Sequence, residues 1–506
     1  MTSYANSDWR ASLPFYSSSL FHAVQSSGMF NDSKTFADVT PKSAWTEILT
    51  AYDREKSRPD FDLTVFVVQH FVMPEILNIT SDDASESVMH YIDKMWPVLT
   101  KQPDQPGVCS LIPLQRPYIV PGGRFREIYY WDSYFTALGL MHSAHQSRVR
   151  DMLENFLDIQ QTVGCIPNGN RAYYHTRSQP PILGLMAELV GSIDNDPVLA
   201  KRCLAGMEQE YQFWMQGHEQ LSAEQPAHRR VVRMNDGSLL NRYFDDDDSP
   251  RPESYREDIA AAAAVAPEQR PAFYRDLRAA CESGWDFSSR WLADPARLTS
   301  ICTTQIVPVD LNCLLYLLEK QLAAGFAAQS ATKSQFYAQC ADNRKKAINY
   351  YMWDNSTGIY RDYHLKQQSQ TQVASLATAV PLFVGLCSAQ QSTAVAKVLE
   401  QQFLQPGGLI TTLQHSEQQW DSPNGWAPLQ WFAVKGLLNY GHNTLAKVIM
   451  QRWLHCVENY FSRHHCILEK YNVCDLNTKA SGGEYTVQLG FGWSNGVSRQ
   501  FYHLLK

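Results

Sequence analysis

Carboxylates set among aromatic residues are the groups in this chain that could do chemistry. Asp132 follows Trp131 in PGGRFREIYYWDSYF (121–135), and Asp286 stands between Trp285 and Phe287 in SGWDFSSRW (283–291). Asp421 follows Trp420 in QQWDSPNGWAPLQW (418–431), Glu253 sits in RPES (251–254), and Glu484 lies in the glycine stretch SGGEY (481–485). Cleaving a glycosidic bond needs one protonated and one ionised carboxyl group. Asp286, between two aromatic residues, is placed where desolvation would raise its pKa and keep its proton. Glu484, on flexible glycines, could close over a substrate and exclude water. Spacing does not choose among the five carboxylates.

The surrounding residues suit a polyhydroxylated ligand. Gly122 and Gly123 allow close backbone approach, Arg124 offers a planar donor fork, and Trp131 offers a ring face. IPNGNRAYYHTRSQ (166–179) supplies Asn168, Arg171, Arg177 and Gln179, and RPES adds Arg251 beside Glu253. A sugar presents many hydroxyls and one apolar face, so its site wants Arg, Asn, Gln and carboxylate partners beside stacked rings.

Helices must position these loops. VRDMLENFLDIQQTV (149–163) puts Met152, Leu153, Phe156, Leu157 and Ile159 on one side at helical spacing, which predicts an amphipathic helix. Residues 311–324, 333–352, 375–390, 427–439 and 447–461 read the same way, whereas 229–234 is the best strand-like run and is short. The expected fold class is all-α. Trp-Asp pairs recur at 131–132, 285–286, 353–354 and 420–421, as in a helix-hairpin repeat whose loops gather at one end. Residues 1–58 are more polar and read as an arm or cap on a single domain covering 1–506.

Composition excludes several classes. At 506 residues and a net charge of −7, the chain has no global attraction for nucleic acid and no local basic patch. The longest apolar run, 259–266, is far too short for a membrane span. Residues 1–20 lack the ordered parts of an export signal, and eleven scattered cysteines form no CxxC pair. Both features are read as cytoplasmic residence with free thiols. The run Asp245–Asp248 lacks the alternation and glycine turn of a divalent-metal loop. It reads as a solvated loop, so no metal is expected.

PGGRFREIYYWDSYF and QQWDSPNGWAPLQW resemble the two signature motifs of the trehalases, an inverting glycoside hydrolase family. DSKTFAD (32–38), IPNGNRAYY (166–174), RSQPP (177–181), RPES (251–254), SGWDFSSRW (283–291), VPVDLN (307–312), GGEY (482–485) and GFGWSNGV (490–497) follow in the family's order. The resemblance implies a six-hairpin (α/α) toroid with a loop-built pocket and hydrolysis of α,α-trehalose to two glucoses. It implies Asp286 as general acid and Glu484 as general base. Sugar contacts would come from Arg124, Trp131, Asp132, Asn168, Arg177, Ser178, Gln179, Arg251, Pro252, Glu253 and Gly284, with Trp420, Asp421 and Trp426 at the pocket's border.

The resemblance implies a monomer of the cytoplasmic type acting on a small sugar, with no metal, organic cofactor, nucleic acid or membrane partner. Departures at Ala480-Ser481, Thr486-Val487 and Leu489 bear on lid mobility. Two other readings use the same scaffold: a non-catalytic trehalose-binding sensor, and an inverting hydrolase of another glucoside.

Overall fold

Six helices that are buried on nearly every side form an inner ring, and six amphipathic helices wrap it. The computed structural model describes residues 9–75, 77, 79, 87–105, 107, 109–480 and 482–506. Five pairs follow as outer then inner helix: α1 (Val88–Leu99) with α2 (Tyr130–Leu140), α3 (Ser147–Val163) with α4 (Leu183–Gly191), α5 (Pro197–Trp214) with α7 (Val309–Phe326), α8 (Ala331–Tyr351) with α9 (Val380–Phe383), and α10 (Ala389–Val398) with α11 (Ala427–Asn439). The sixth pair is α12 (Asn443–His464) with α13 (Gly492–Leu504), and α6 (Arg270–Ser283) is inserted within the third. This is the (α/α) toroid.

Burial separates the two rings. In α3 the predicted stripe of Met152, Leu153, Phe156, Leu157 and Ile159 is buried, and Gly164 ends the helix at φ +99°. All eleven residues of α2 are buried, polar ones included, because it has neighbours on both faces. The ring closes where α2 meets α13 with almost no side chain between them. A Cβ at Gly139 would lie 2.6 Å from the Gly496 Cα, so glycine is required at this approach.

The helix expected over 375–390 is interrupted. A 3₁₀ turn at Leu376–Ala379 leads into α9, and the chain then breaks at Gly385, φ +69°, before α10 starts at Ala389. The strand-like run at 229–234 is real: β2 (Val231–Arg233) is the centre of a small antiparallel sheet with β1 (Ala227–His228) and β3 (Leu239–Asn241). A further pair, β4 (Asn424–Trp426) with β5 (Lys470–Asn472), joins the loops before α11 and after α12.

The N-terminal segment packs through its own apolar cluster. Phe15, Phe21, Phe36, Trp45 and Phe71 meet Tyr129, Tyr173 and Tyr174 of the toroid. That cluster runs past residue 58 to Phe71. Residues 1–8 of the expected arm lie outside the described residues. A buried ionic knot fastens the segment: the Lys34 ammonium lies 2.8 Å from Asp38 and 2.6 Å from Glu127, and donates to the Tyr173 hydroxyl.

Candidate active site

The N-termini of three inner helices converge on one cavity. Trp131 and Asp132 occupy the first turn of α2, Trp426 caps α11, and Phe491 caps α13. The positive dipole ends of these helices therefore face the cavity, which favours oxygen-rich ligands. Arg124, Trp131, Asp132, Asn168, Arg177, Gln179, Arg251, Glu253, Gly284, Asp286, Trp420, Trp426 and Glu484 all line it.

Ser178, Pro252 and Asp421 stand behind the wall. The Ser178 hydroxyl donates to the Ile166 carbonyl at 2.6 Å, and its amide donates to Glu282. The Pro252 carbonyl accepts from Gln25. Asp421 is fully buried and accepts from Ser288, Ser289, Thr412 and Ser416 side chains and from the Ser289 amide. It therefore fastens the loop that carries Asp286 instead of offering its oxygens to a ligand.

That loop is held at several points. Gly284 ends α6 at φ +76°, and a Cβ there would come within 2.6 Å of the Trp131 ring. Arg290, buried and bidentate, pairs with Asp310 and Asp362. The Trp420 amide donates to the Phe287 carbonyl at 3.0 Å. Asp421→Ala is expected to destabilise the fold by about 3 kcal/mol by orphaning several buried donors. A shift of the urea midpoint checks this.

Five tryptophans build the apolar side. Trp420 stacks on Trp426 at 3.9 Å with the rings 2° from parallel, and on Trp285 at 5.5 Å. Trp131 and Trp493 pack against Trp420 from other directions. The Trp-Asp pair at 353–354 does not join them: Trp353 and Asp354 form a hairpin with buried Ile359 and Tyr360 that does not line the cavity.

Arginines organise the polar side. Arg177 is buried, with Nη2 2.7 Å from Glu253, Nη1 3.3 Å from Asp245, and Nε donating to Asn168. Arg251 bridges Asp258 and Glu484, the latter at 2.8 Å. Arg124 lies over the Tyr485 ring, 4.7 Å from its centre, and donates to the Glu253 carbonyl. The four aspartates 245–248 each meet an arginine: Arg177 and Arg278, Arg229, Arg278, and Arg275 in turn. Asp245 is completely buried, contrary to the solvated loop expected.

Charge states differ sharply across the cavity. Burial pushes the Asp286 carboxyl up to about 7; Arg251 pulls it down, and the nearby charge of Glu484 pushes it further up. Burial raises Asp132 well above the usual carboxylate range, and Glu469 and Asp286 add to the rise. Burial also works against ionised Glu253, but Arg177, Arg251 and Arg278 outweigh it and leave its pKa lowered.

Glu469 is the lining carboxylate that the sequence reading missed. It is buried on the strand-forming run before β5, where Oε1 accepts from the Tyr485 hydroxyl at 2.8 Å and Oε2 accepts from no group among the described residues. Burial raises its pKa, against the pull of Lys470. The signal available was a lone Glu-Lys pair inside the otherwise apolar CILEKYNVC (466–474). Glu253 Oε2 and Arg124 Nε are likewise buried without a partner. Ser481, in the Ala480-Ser481 departure, lies outside the described residues. In the same stretch, Gln488 between the Thr486-Val487 and Leu489 departures accepts from the Arg124 amide at 2.8 Å.

An (α/α) toroid with stacked tryptophans and buried carboxyls around one pocket has the parts of a glycoside hydrolase site. The chain belongs to the trehalase family, whose model matches residues 28–506. It is 46% identical over 488 residues to a periplasmic trehalase of Citrobacter koseri, covering 96% of this chain and 85% of that one. A periplasmic trehalase of Escherichia coli matches equally, with 86% of it covered. Among solved structures, the neutral trehalase of Saccharomyces cerevisiae superposes with a TM-score of 0.63 at 28% identity, over 77% of this chain and 74% of that one. A mannosylglycerate hydrolase of Thermus thermophilus shares the fold at 16% identity, with a TM-score of 0.53 over 82% of this chain and all of that one.

The periplasmic relatives overturn the expected cytoplasmic residence and the cytoplasmic type of trehalase. The thiol argument failed for a physical reason. All eleven cysteines are free, but eight are buried, and burial protects a thiol from oxidation whatever the compartment. Among the described residues, no helix is long and apolar enough to cross a membrane.

Proposed function

We propose that this chain hydrolyses α,α-trehalose to two glucose molecules with inversion, as a monomer, with Asp286 as acid and Glu469 as base. Trehalose joins two anomeric carbons through one oxygen. The Asp286 proton moves to that bridging oxygen as the bond to one anomeric carbon breaks, and the other glucose leaves. A water on the opposite face gives its proton to Glu469, and its oxygen bonds to the freed anomeric carbon. Return of the proton from Glu469 to Asp286 through solvent resets the site. A water between the carboxyls calls for a separation of roughly 6.5–9.5 Å.

The unmatched Glu469 oxygen carries the choice of base. The sequence reading gave this role to Glu484, but both Glu484 oxygens are engaged, one by Arg251 at 2.8 Å and one by the Ser254 hydroxyl at 3.2 Å. A general base must present an unengaged oxygen to the attacking water. Glu469 Oε2 accepts no hydrogen bond among the described residues, with the Lys470 ammonium 3.8 Å away, and burial strengthens Glu469 as a base against the pull of that cation. Asp132, Tyr485 and Lys470 each feel the charges of both Glu469 and Asp286, which supports the two carboxyls facing the same space. Glu484 suits a different role, because its charge beside Asp286 helps that residue keep its proton.

Arg124 Nε and Glu253 Oε2, unpartnered and buried, would pair with sugar hydroxyls, and the tryptophans with the apolar faces. Offering trehalose, maltose and sucrose separately tests substrate choice: glucose from trehalose alone is expected. Proton NMR in the first minutes is expected to show α- and β-glucose in equal amounts, because only the attacked carbon inverts. Release of α-glucose alone would refute inversion, and trehalose held without glucose release would mark a sensor.

A further inference from the structure

We infer that Lys470, behind the cavity wall, is a positioning residue that ties the two reacting carboxyls to each other. This rests on the reading of Asp286 and Glu469 given above. Lys470 opens β5, and the β4–β5 ladder pairs it directly with Trp426. Its side chain is completely buried. The ammonium lies 3.8 Å from Glu469 Oε2 and donates to Gln419 Oε1 at 2.5 Å. The Gln419 amide nitrogen in turn donates to the Asp286 backbone carbonyl. One cation therefore lies at ion-pair distance from the base and grips the acid's main chain through a single side chain.

Its surroundings show why a lysine is tolerated there. The ammonium sits 5.0 Å from the centre of the Trp426 ring and 5.5 Å from that of Tyr485, so ring faces replace part of its hydration. Burial pushes its pKa below the ordinary lysine value, while Glu469 and Asp286 hold it up. By reciprocity the ammonium lowers the pKa of both carboxyls.

Other groups facing these carboxyls are fixed parts of the same balance. Asp286 is faced by Arg251, Glu484, Arg177, Cys281, Asp132 and Tyr485. Glu469 is faced by Tyr485, Arg124 and Asp132. Lys470 differs from the arginines in not lining the cavity, so its effect is expected in kcat and in the pH profile and not in direct sugar contact.

The test is the pH dependence of kcat/KM for Lys470→Met. Loss of the cation lets both carboxyls bind protons more tightly. Both limbs of the bell are expected to move to higher pH, the acidic limb by about one unit. kcat should fall roughly tenfold or more through lost alignment, with KM little changed. A profile lowered in height with both limbs unmoved would overturn the inference and leave Lys470 a packing residue.

Should Lys470→Met fail to fold, Lys470→Arg and Gln419→Leu carry the test. Lys470→Arg keeps the charge and is expected to hold both limbs in place. Gln419→Leu breaks the grip on the Asp286 carbonyl and is expected to lower kcat roughly tenfold with both limbs in place. Wild-type kcat in Gln419→Leu, or moved limbs in Lys470→Arg, would refute the inference. If Glu469→Gln kept its turnover, the base assignment would fail separately. The shift of the basic limb in Lys470→Met belongs to Asp286 and would still decide the role of Lys470.

Discussion

Asp286→Asn is expected to reduce kcat for trehalose by about 10²–10⁴-fold with the urea midpoint little changed. The amide keeps the shape of the carboxyl but has no acidic proton for the bridging oxygen. The loop does not depend on this side chain for its hold: Arg290, Asp421 and the Trp420 amide anchor the residues around it. The wild-type pH profile should report the same proton. With the carboxyl pushed up to about 7, the acid form is full well below that value and is lost as pH rises through it. The basic limb of kcat/KM is therefore expected near pH 7. Near-wild-type turnover in Asp286→Asn would remove this residue from the chemistry.

The second large effect separates two glutamates. Glu469→Gln should lose a comparable 10²–10⁴-fold in kcat, since the amide cannot take the water's proton. Glu484→Gln should be milder in kcat and should act on the acid. Removing the negative charge near Asp286 lets that carboxyl ionise more easily, so the basic limb moves to lower pH. If instead Glu484→Gln abolished turnover while Glu469→Gln kept it, the base would be Glu484, as the sequence reading had it. Added azide offers a second readout: a small anion can replace a missing base, so partial rescue is expected in Glu469→Gln and not in Asp286→Asn.

Much of the wall was legible before any coordinates. Trp131, Asp132, Asn168, Arg177, Arg251, Glu253, Asp286 and Glu484 were marked by dense polar and aromatic composition in loops, and they do meet in one cavity. Asp421 carries the same local signature as Asp286, since each follows a tryptophan, yet its oxygens are consumed by serine and threonine hydroxyls from its own loop and from the loop after Asp286. Ser178 and Pro252 point away from the cavity although their chain neighbours line it. Neighbouring residues in a turn face opposite ways, and a sequence pattern does not record which way.

By itself the sequence determined the all-α class and the positions of several long helices, and it offered Asp286 as one of five candidate carboxylates, because helical periodicity and aromatic flanking are local properties of the chain. Only the tertiary structure decided which carboxylates share a cavity and which are spent on arginines and hydroxyls. Glu469 is in an apolar stretch that reads as core, and it faces the pocket because β4 and β5, far apart in the chain, pair with each other. Hydrogen-bond partners from distant segments fix a carboxylate's free lone pairs and its pKa, and those partners meet only when the ring of helices closes.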